Sequence, residues 1–176
     1  RSFLPEAVPK TFAELAIPLR VATTDYFAHD TVVMEKGDLV LALAASSAIP
    51  AIFKPVRHGG RMLIDGGFSD PVPFDLVREQ SDIVIAVDVI GAPVPTSERL
   101  PNAIELSIGA SQILMHQVVA LRMKSWRPHI LLRPPVSKFK VLDFLKIANV
   151  LEESRPIREE TKRAVEAAME KFAKAG

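Results

Sequence analysis

The sequence predicts an α/β fold, because short β-branched runs alternate with helix-like stretches along most of its length. Two further observations support that class. Asp82-Ile83-Val84-Ile85-Ala86-Val87-Asp88-Val89-Ile90 is an almost unbroken apolar run, the pattern of a strand buried on both faces in a parallel sheet. Ile104, Ile108, Ser111, Met115, Val118, Val119 and Arg122 fall roughly along one stripe, which predicts a long helix over residues 102–125. With 176 residues, 48% of them hydrophobic and 24% charged, the chain is long enough for one domain with a sizeable core.

Taken in order, residues 1–9 contain two prolines and read as a connecting segment. Thr11 is a candidate cap for a short helix over residues 12–16, with Glu14 at its third position, ahead of Pro18. Ile17, Leu19, Val21 and Thr23 alternate with Pro18, Arg20, Ala22 and Thr24, a strand pattern. Asp25 to Asp30 predicts a turn, Thr31 to Met34 a partner strand, and Lys36-Gly37-Asp38 the entry to a helix from Leu39 to about Ala48. Pro50 stops that helix, because proline lacks a donor and biases the preceding residue away from helical angles.

Pro55–Arg57 and Arg61–Ile64, joined through His58-Gly59-Gly60, predict a β-hairpin. Pro71 and Pro73 open a short helix that reaches about Glu79. A proline-rich loop over 91–101 separates the apolar strand from the long helix. His129 to Leu132 is a further short strand closed by Pro134-Pro135. A helix around 141–151 and an amphipathic terminal helix from Arg155 to Ala173 complete the chain, the latter with Glu159, Arg163, Glu166 and Glu170 on its polar face.

The net charge of +1 conceals a segregation. Residues 1–119 hold 9 Lys and Arg against 14 Asp and Glu, residues 120–146 hold 7 against 1, and residues 147–176 balance at 6 against 6. In the basic segment Arg122, Lys124, Arg127, Arg133, Lys138, Lys140 and Lys146 accompany Trp126, Phe139 and Phe144. A solvated face beside core aromatics is the simpler reading. The other is a peripheral membrane contact through Arg122, Lys124, Arg127, Lys138 and Lys140, with rings at the headgroup level. Nucleic acid is not an expected partner, since the rest of the chain is net acidic and carries no reader motif.

No cysteine is present, which excludes disulfides and thiolate metal sites and permits a reducing compartment. His29, His58, His116 and His129 show no ligand-type spacing, so no metal site is expected. The chain opens on Arg1 rather than methionine, which suggests a fragment or processed product.

The chemistry concentrates at Leu63-Ile64-Asp65-Gly66-Gly67-Phe68, an aspartate at the end of an apolar run with two glycines behind it. Such a carboxylate is held at a strand end against the core. Gly66 and Gly67 are expected to permit backbone angles that a side chain would forbid, and to let a substrate approach. The bland alternative is that Asp65 starts an Asx-type turn and nothing more. Ser46 and Ser47 read as small polar residues near a helix end, with no glycine-framed turn around them to make either a nucleophile. A Ser47–His58–Asp65 triad is conceivable, but His58 reads most simply as a solvated turn residue. Asp25 and Asp88 lie at or near strand ends and either shape a crevice or cap a turn.

Several motifs stand in a fixed order: Ala22-Thr23-Thr24-Asp25 at a strand end, Lys36-Gly37-Asp38 before a helix, and Ala45-Ser46-Ser47-Ala48-Ile49-Pro50 with Phe53 and Pro55. Then follow Leu63-Ile64-Asp65-Gly66-Gly67 with Asp70, Pro71 and Pro73, and the strand Asp82–Val89. In this register they resemble the C-terminal half of a patatin-like phospholipase. The resemblance implies a three-layer sandwich with a mostly parallel central sheet, here lacking its N-terminal strands. It also implies one domain over 1–176, with a family-like core at about 17–90 and a variable tail at about 102–176. It implies a lipid acyl hydrolase in which Asp65 is the base of a serine–aspartate dyad, with Gly66 and Gly67 shaping the turn or the substrate site. No cofactor or metal is implied, and a cytoplasmic or peripheral-membrane location in a bacterium is.

The family's Gly-x-Ser-x-Gly nucleophile turn and its Gly-x-Gly-x-x-Gly oxyanion loop are both missing from these 176 residues. The expected partners are therefore an acyl lipid substrate and the N-terminal half of the same protein, with a second copy of the chain also able to cover apolar surface left open. The alternatives are a non-catalytic lipid- or partner-binding module of the same fold, or an inactive proteolytic piece.

Overall fold

A computed structural model describes Pro5 and residues 7–94, 100–139 and 146–174. Its elements divide the chain into two compact units, Arg1–Pro71 and Val72–Gly176. The division falls within the stretch expected to form one core.

In the first unit, β1 (Val21–Asp25) is the central strand, with all five residues buried. It pairs antiparallel with β2 (Asp30–Met34) on one side and with β4 (Arg61–Asp65) on the other, and β4 pairs with β3 (Val56–His58). The sheet order is β2-β1-β4-β3. The mostly parallel sheet expected from the resemblance is thus not what these strands form. Tight turns join β1 to β2 and β3 to β4, and a chain that reverses within a few residues must pair antiparallel. Only the β1–β4 contact needs a crossover, and α1 (Leu39–Ser46) lies in the segment between them.

Asp38 starts α1 by accepting from the Leu41 N–H at 2.9 Å, satisfying one of the helix's orphan donors. Leu39, Ala42 and Ala45 lie three residues apart on its buried face. The two alanines let the helix approach closely, and Leu39 joins Phe12, Val21, Met34 and Leu63 in the core of this unit. Burying a leucine of this kind contributes roughly 2 kcal/mol. A single 3-10 turn, Phe12–Glu14, replaces the expected helix over 12–16.

The β3–β4 hairpin turns through Gly59 (φ +56°) and Gly60 (φ +77°), and His58 pairs with Arg61. Two consecutive positive φ values make the type I′ turn whose twist matches the flanking strands. A Cβ at Gly60 would meet open space, so its cost is conformational only. Gly60→Ala is expected to destabilise by about 1–2 kcal/mol, measurable by urea unfolding. An unchanged midpoint would contradict that assignment.

In the second unit, β5 (Ile85–Val87) pairs parallel with β6 (Ile130–Leu132). The expected parallel pairing is therefore present here, but the burial on both faces is not. Val84, Ala86 and Asp88 are buried while Ile85, Val87 and Val89 are exposed, because the strand has one packed face. That face meets Val72, Phe74 and Val119, with Trp126 and Met123 beside them.

α2 (Ala103–Ser125) starts with a reciprocal capping box between Asn102 and Glu105. By length and composition alone α2 passes the threshold for crossing a bilayer, and little of it is buried in the protein. α3 (Ile147–Ala173) runs unbroken through Pro156, where the sequence predicted two helices. Proline removes one ladder bond, and the Ala-, Glu- and Lys-rich run beyond it carries the helix on. Residues 141–145 of the expected helix lie outside the described residues.

Candidate active site

Asp65 is the last residue of β4, opposite Thr23 of β1 in the ladder, and it is half-buried. Its N–H donates to the Ala48 carbonyl just beyond α1 at 3.1 Å, which ties the strand end to the helix end. Its own carbonyl accepts from Thr24 Oγ1 at 2.8 Å. One carboxylate oxygen, Oδ1, accepts from the Gly67 N–H at 2.7 Å. The other oxygen, Oδ2, has no hydrogen bond among the described residues.

The bland reading, an Asx-type turn, is therefore realised through Oδ1. It occupies only half of the carboxylate. Burial pushes the Asp65 carboxyl above the ordinary aspartate range, and the Gly67 N–H opposes that shift by favouring the ionised form. Burial dominates, which makes Asp65 a better proton acceptor than a solvated aspartate.

Gly66 is required for a reason other than the one the sequence suggests. Neither Gly66 nor Gly67 is among the residues with positive φ. At Gly66 the constraint is space, since a Cβ would lie 2.2 Å from the Ala22 carbonyl oxygen and 2.7 Å from its carbon. The backbone of the 3-10 turn Gly66–Phe68 packs directly on β1, and the Gly66 carbonyl then accepts from Ser69 and Asp70 N–H groups.

Ser69 reaches back to Thr24, with Oγ to Oγ1 at 2.8 Å. The Thr24 proton is committed to the Asp65 carbonyl, so Ser69 is the donor in that pair. Sequence reasoning gave neither hydroxyl a role. The only available signal was their place inside the motifs Ala22-Thr23-Thr24-Asp25 and Asp65 to Asp70.

The remaining candidates fall elsewhere. His58 pairs with Arg61 at the opposite end of β4, four residues from Asp65, or about 13 Å along a strand. The Ser47–His58–Asp65 triad is therefore not assembled. Ser47 is the C-cap of α1, its N–H donating to Leu43 O, and Ser46 is the last helical residue. Asp25 accepts from the Phe27 and Ala28 N–H groups and caps the β1–β2 turn. Asp88 accepts from the Ile90 N–H and from Arg133 Nε, so it too is structural.

Among the basic residues, Arg122 pairs with Asp75 at 2.7 Å and Lys138 pairs with Glu153. Lys124 and Arg127 remain exposed at the end of α2, and Lys140 lies outside the described residues. No cluster of three or more potential metal ligands occurs among the described residues.

The patatin-like phospholipase family model matches residues 2–78, a stretch that contains every group around Asp65. An uncharacterized NTE family protein of Mycobacterium tuberculosis (strain ATCC 25618 / H37Rv) is 35% identical over 96 residues, 53% of this chain and 27% of that protein. Lysophospholipase NTE1 of Debaryomyces hansenii is 24% identical over 133 residues, 61% of this chain and 8% of the yeast protein. The counterpart in Yarrowia lipolytica is 27% identical over 133 residues, with 61% and 9% covered. The chain thus spans about a quarter or less of the length of these relatives.

Proposed function

We propose that this chain carries Asp65 as the base of a patatin-like lipid acyl hydrolase, a reading supported by the family-model match over residues 2–78 and by the similarity to NTE family proteins. Asp65 Oδ2 takes the proton of a serine hydroxyl as the serine oxygen attacks the ester carbonyl of a phospholipid or lysophospholipid. The new carbon–oxygen bond gives a tetrahedral oxyanion. Its collapse breaks the bond to the leaving alcohol, which departs with the proton from Asp65. Water then attacks the acyl-serine and loses a proton to Asp65, the bond from the acyl carbon to the serine oxygen breaks, that oxygen takes the proton back from Asp65, and the fatty acid is released.

The observation that carries this reading is the state of Asp65. It is half-buried and raised in pKa by that burial, with one oxygen fixed by Gly67 and the other without a hydrogen bond among the described residues. General-base transfer is most effective when the base's pKa approaches the working pH, and burial moves Asp65 in that direction. The yeast relatives are named lysophospholipases, which points to single-chain acyl lipids among the substrates. No Gly-x-Ser-x-Gly turn lies in this sequence, so the serine and the oxyanion donors are assigned to polypeptide outside these 176 residues.

The parallel β5–β6 pair is read as part of a mostly parallel central sheet in a three-layer sandwich. The exposed apolar face of Ile85, Val87 and Val89 supports that reading, since such a face is suited to cover by a further layer.

Fatty-acid release from mixed phospholipid and lysophospholipid micelles, catalysed by the full-length gene product, tests the proposal. Release is expected without added metal and in the presence of a chelator. A folded full-length protein that releases no fatty acid from either lipid would overturn the reading.

A further inference from the structure

We infer that Thr24, backed by Ser69, is a positioning residue that fixes the direction of the Asp65 carboxylate. This rests on the reading of Asp65 as the base and adds two residues to it. The contacts form a directed chain: Ser69 Oγ–H donates to Thr24 Oγ1, and Thr24 Oγ1–H donates to the Asp65 carbonyl, each at 2.8 Å. Thr24 is 7% exposed, so water competes poorly for either bond.

The carbonyl that Thr24 holds belongs to the peptide joining Asp65 to Gly66. That peptide also sets where the next N–H, on Gly67, meets Oδ1. One face of the same turn is fixed by contact of Gly66 with the Ala22 backbone, which leaves no room for a Cβ. Steric contact limits where the turn can move, but it does not set the rotation of the peptide plane. A hydroxyl donating to its carbonyl does. Ser69 completes the arrangement, because its proton engages a lone pair of Thr24 Oγ1 and favours the rotamer that points at Asp65.

Removing the Thr24 hydroxyl frees that peptide to rotate, which lengthens the Gly67 N–H to Oδ1 bond and misaims Oδ2. Two readouts follow. Turnover falls because the base is misplaced, and the Asp65 carboxyl rises further because the one bond favouring its ionised form weakens. The influences on that carboxyl are burial and the Gly67 N–H. The ionisable groups on the elements around it are Asp25 on β1, Arg57 and His58 on β3, Arg61 on β4 and Asp70 beyond the turn, and none of them enters.

The experiment compares Thr24→Val, Thr24→Ser, Ser69→Ala and Asp65→Asn in the full-length gene product, by ester hydrolysis across pH. Thr24→Val keeps the shape and loses the hydroxyl. Its kcat is expected to fall about tenfold to a hundredfold, with KM little changed and the acid limb of the profile moved to higher pH. Thr24→Ser should restore both, and Ser69→Ala should give a smaller change in the same direction. Thr24→Val with wild-type kcat and an unmoved acid limb would overturn the inference. So would Thr24→Ser failing as badly as Thr24→Val, since that implicates the methyl group. If Asp65→Asn itself leaves hydrolysis intact, the base reading falls first and takes this one with it. A dead Asp65→Asn beside a fully active Thr24→Val removes the positioning role alone.

Discussion

Asp65→Asn is expected to lower ester hydrolysis by about 10²–10⁴-fold, the range over which a positioned general base contributes. Asparagine has nearly the same shape, and its carbonyl oxygen can still accept from Gly67 N–H, so the turn should persist. The stability consequence has the opposite sign to the catalytic one. Burial raises the Asp65 carboxyl above its unfolded value, so the native state disfavours ionised Asp65. Its contribution to stability is complete below the ordinary aspartate range and is lost as pH rises through the folded value. Asparagine carries no such penalty. The variant is therefore expected to melt no lower than wild type at neutral pH, with any advantage disappearing in acid. A variant that is both inactive and markedly less stable at pH 7 would mean that Asp65 is structural.

Gly66→Ala is the largest expected effect on folding. The added methyl would sit 2.2 Å from the Ala22 oxygen, and both colliding groups are backbone, one of them on the buried central strand. Neither has a side-chain torsion through which to yield. Overpacking usually costs 1–3 kcal/mol, and a backbone collision belongs at or beyond the top of that range, about 3 kcal/mol. For a protein of this size that lowers the melting temperature by about 6–12 °C. Hydrolysis should fall with it, because the same turn carries Gly67 N–H to Oδ1. A Gly66→Ala protein that melts with wild type would show that β1 and the turn are not in contact as described.

The parts of this architecture that were legible in the sequence are the local ones. The Gly59-Gly60 hairpin, the Lys36-Gly37-Asp38 entry to α1, the Asp65 turn and the apolar run around Ile85 each depend on residues a few positions apart. Their chemistry is written in short words. Pairing between β1 and β4 is not local, and it determines the direction of the sheet. Thr24 and Ser69 belong to that second kind, since they meet across 45 positions. A threonine at a strand end has no local mark that distinguishes a positioning hydroxyl from a β-branched filler. Gly66 shows a related limit: the pattern identified a position that tolerates only glycine, but a need for φ freedom and a need for space look identical in one sequence. Pro156 shows the reverse, a local rule overridden by the helix on either side of it.

The rate of a single chemical step separates these possibilities most directly. Phosphonylation by a fluorophosphonate, followed by intact mass across pH, reads serine activation without lipid binding or product release. In the wild-type full-length protein the rate should fall in acid with a midpoint above the ordinary aspartate range, and in Asp65→Asn it should be low and flat. Equal rates with the same acid limb in both proteins would contradict Asp65 as the base.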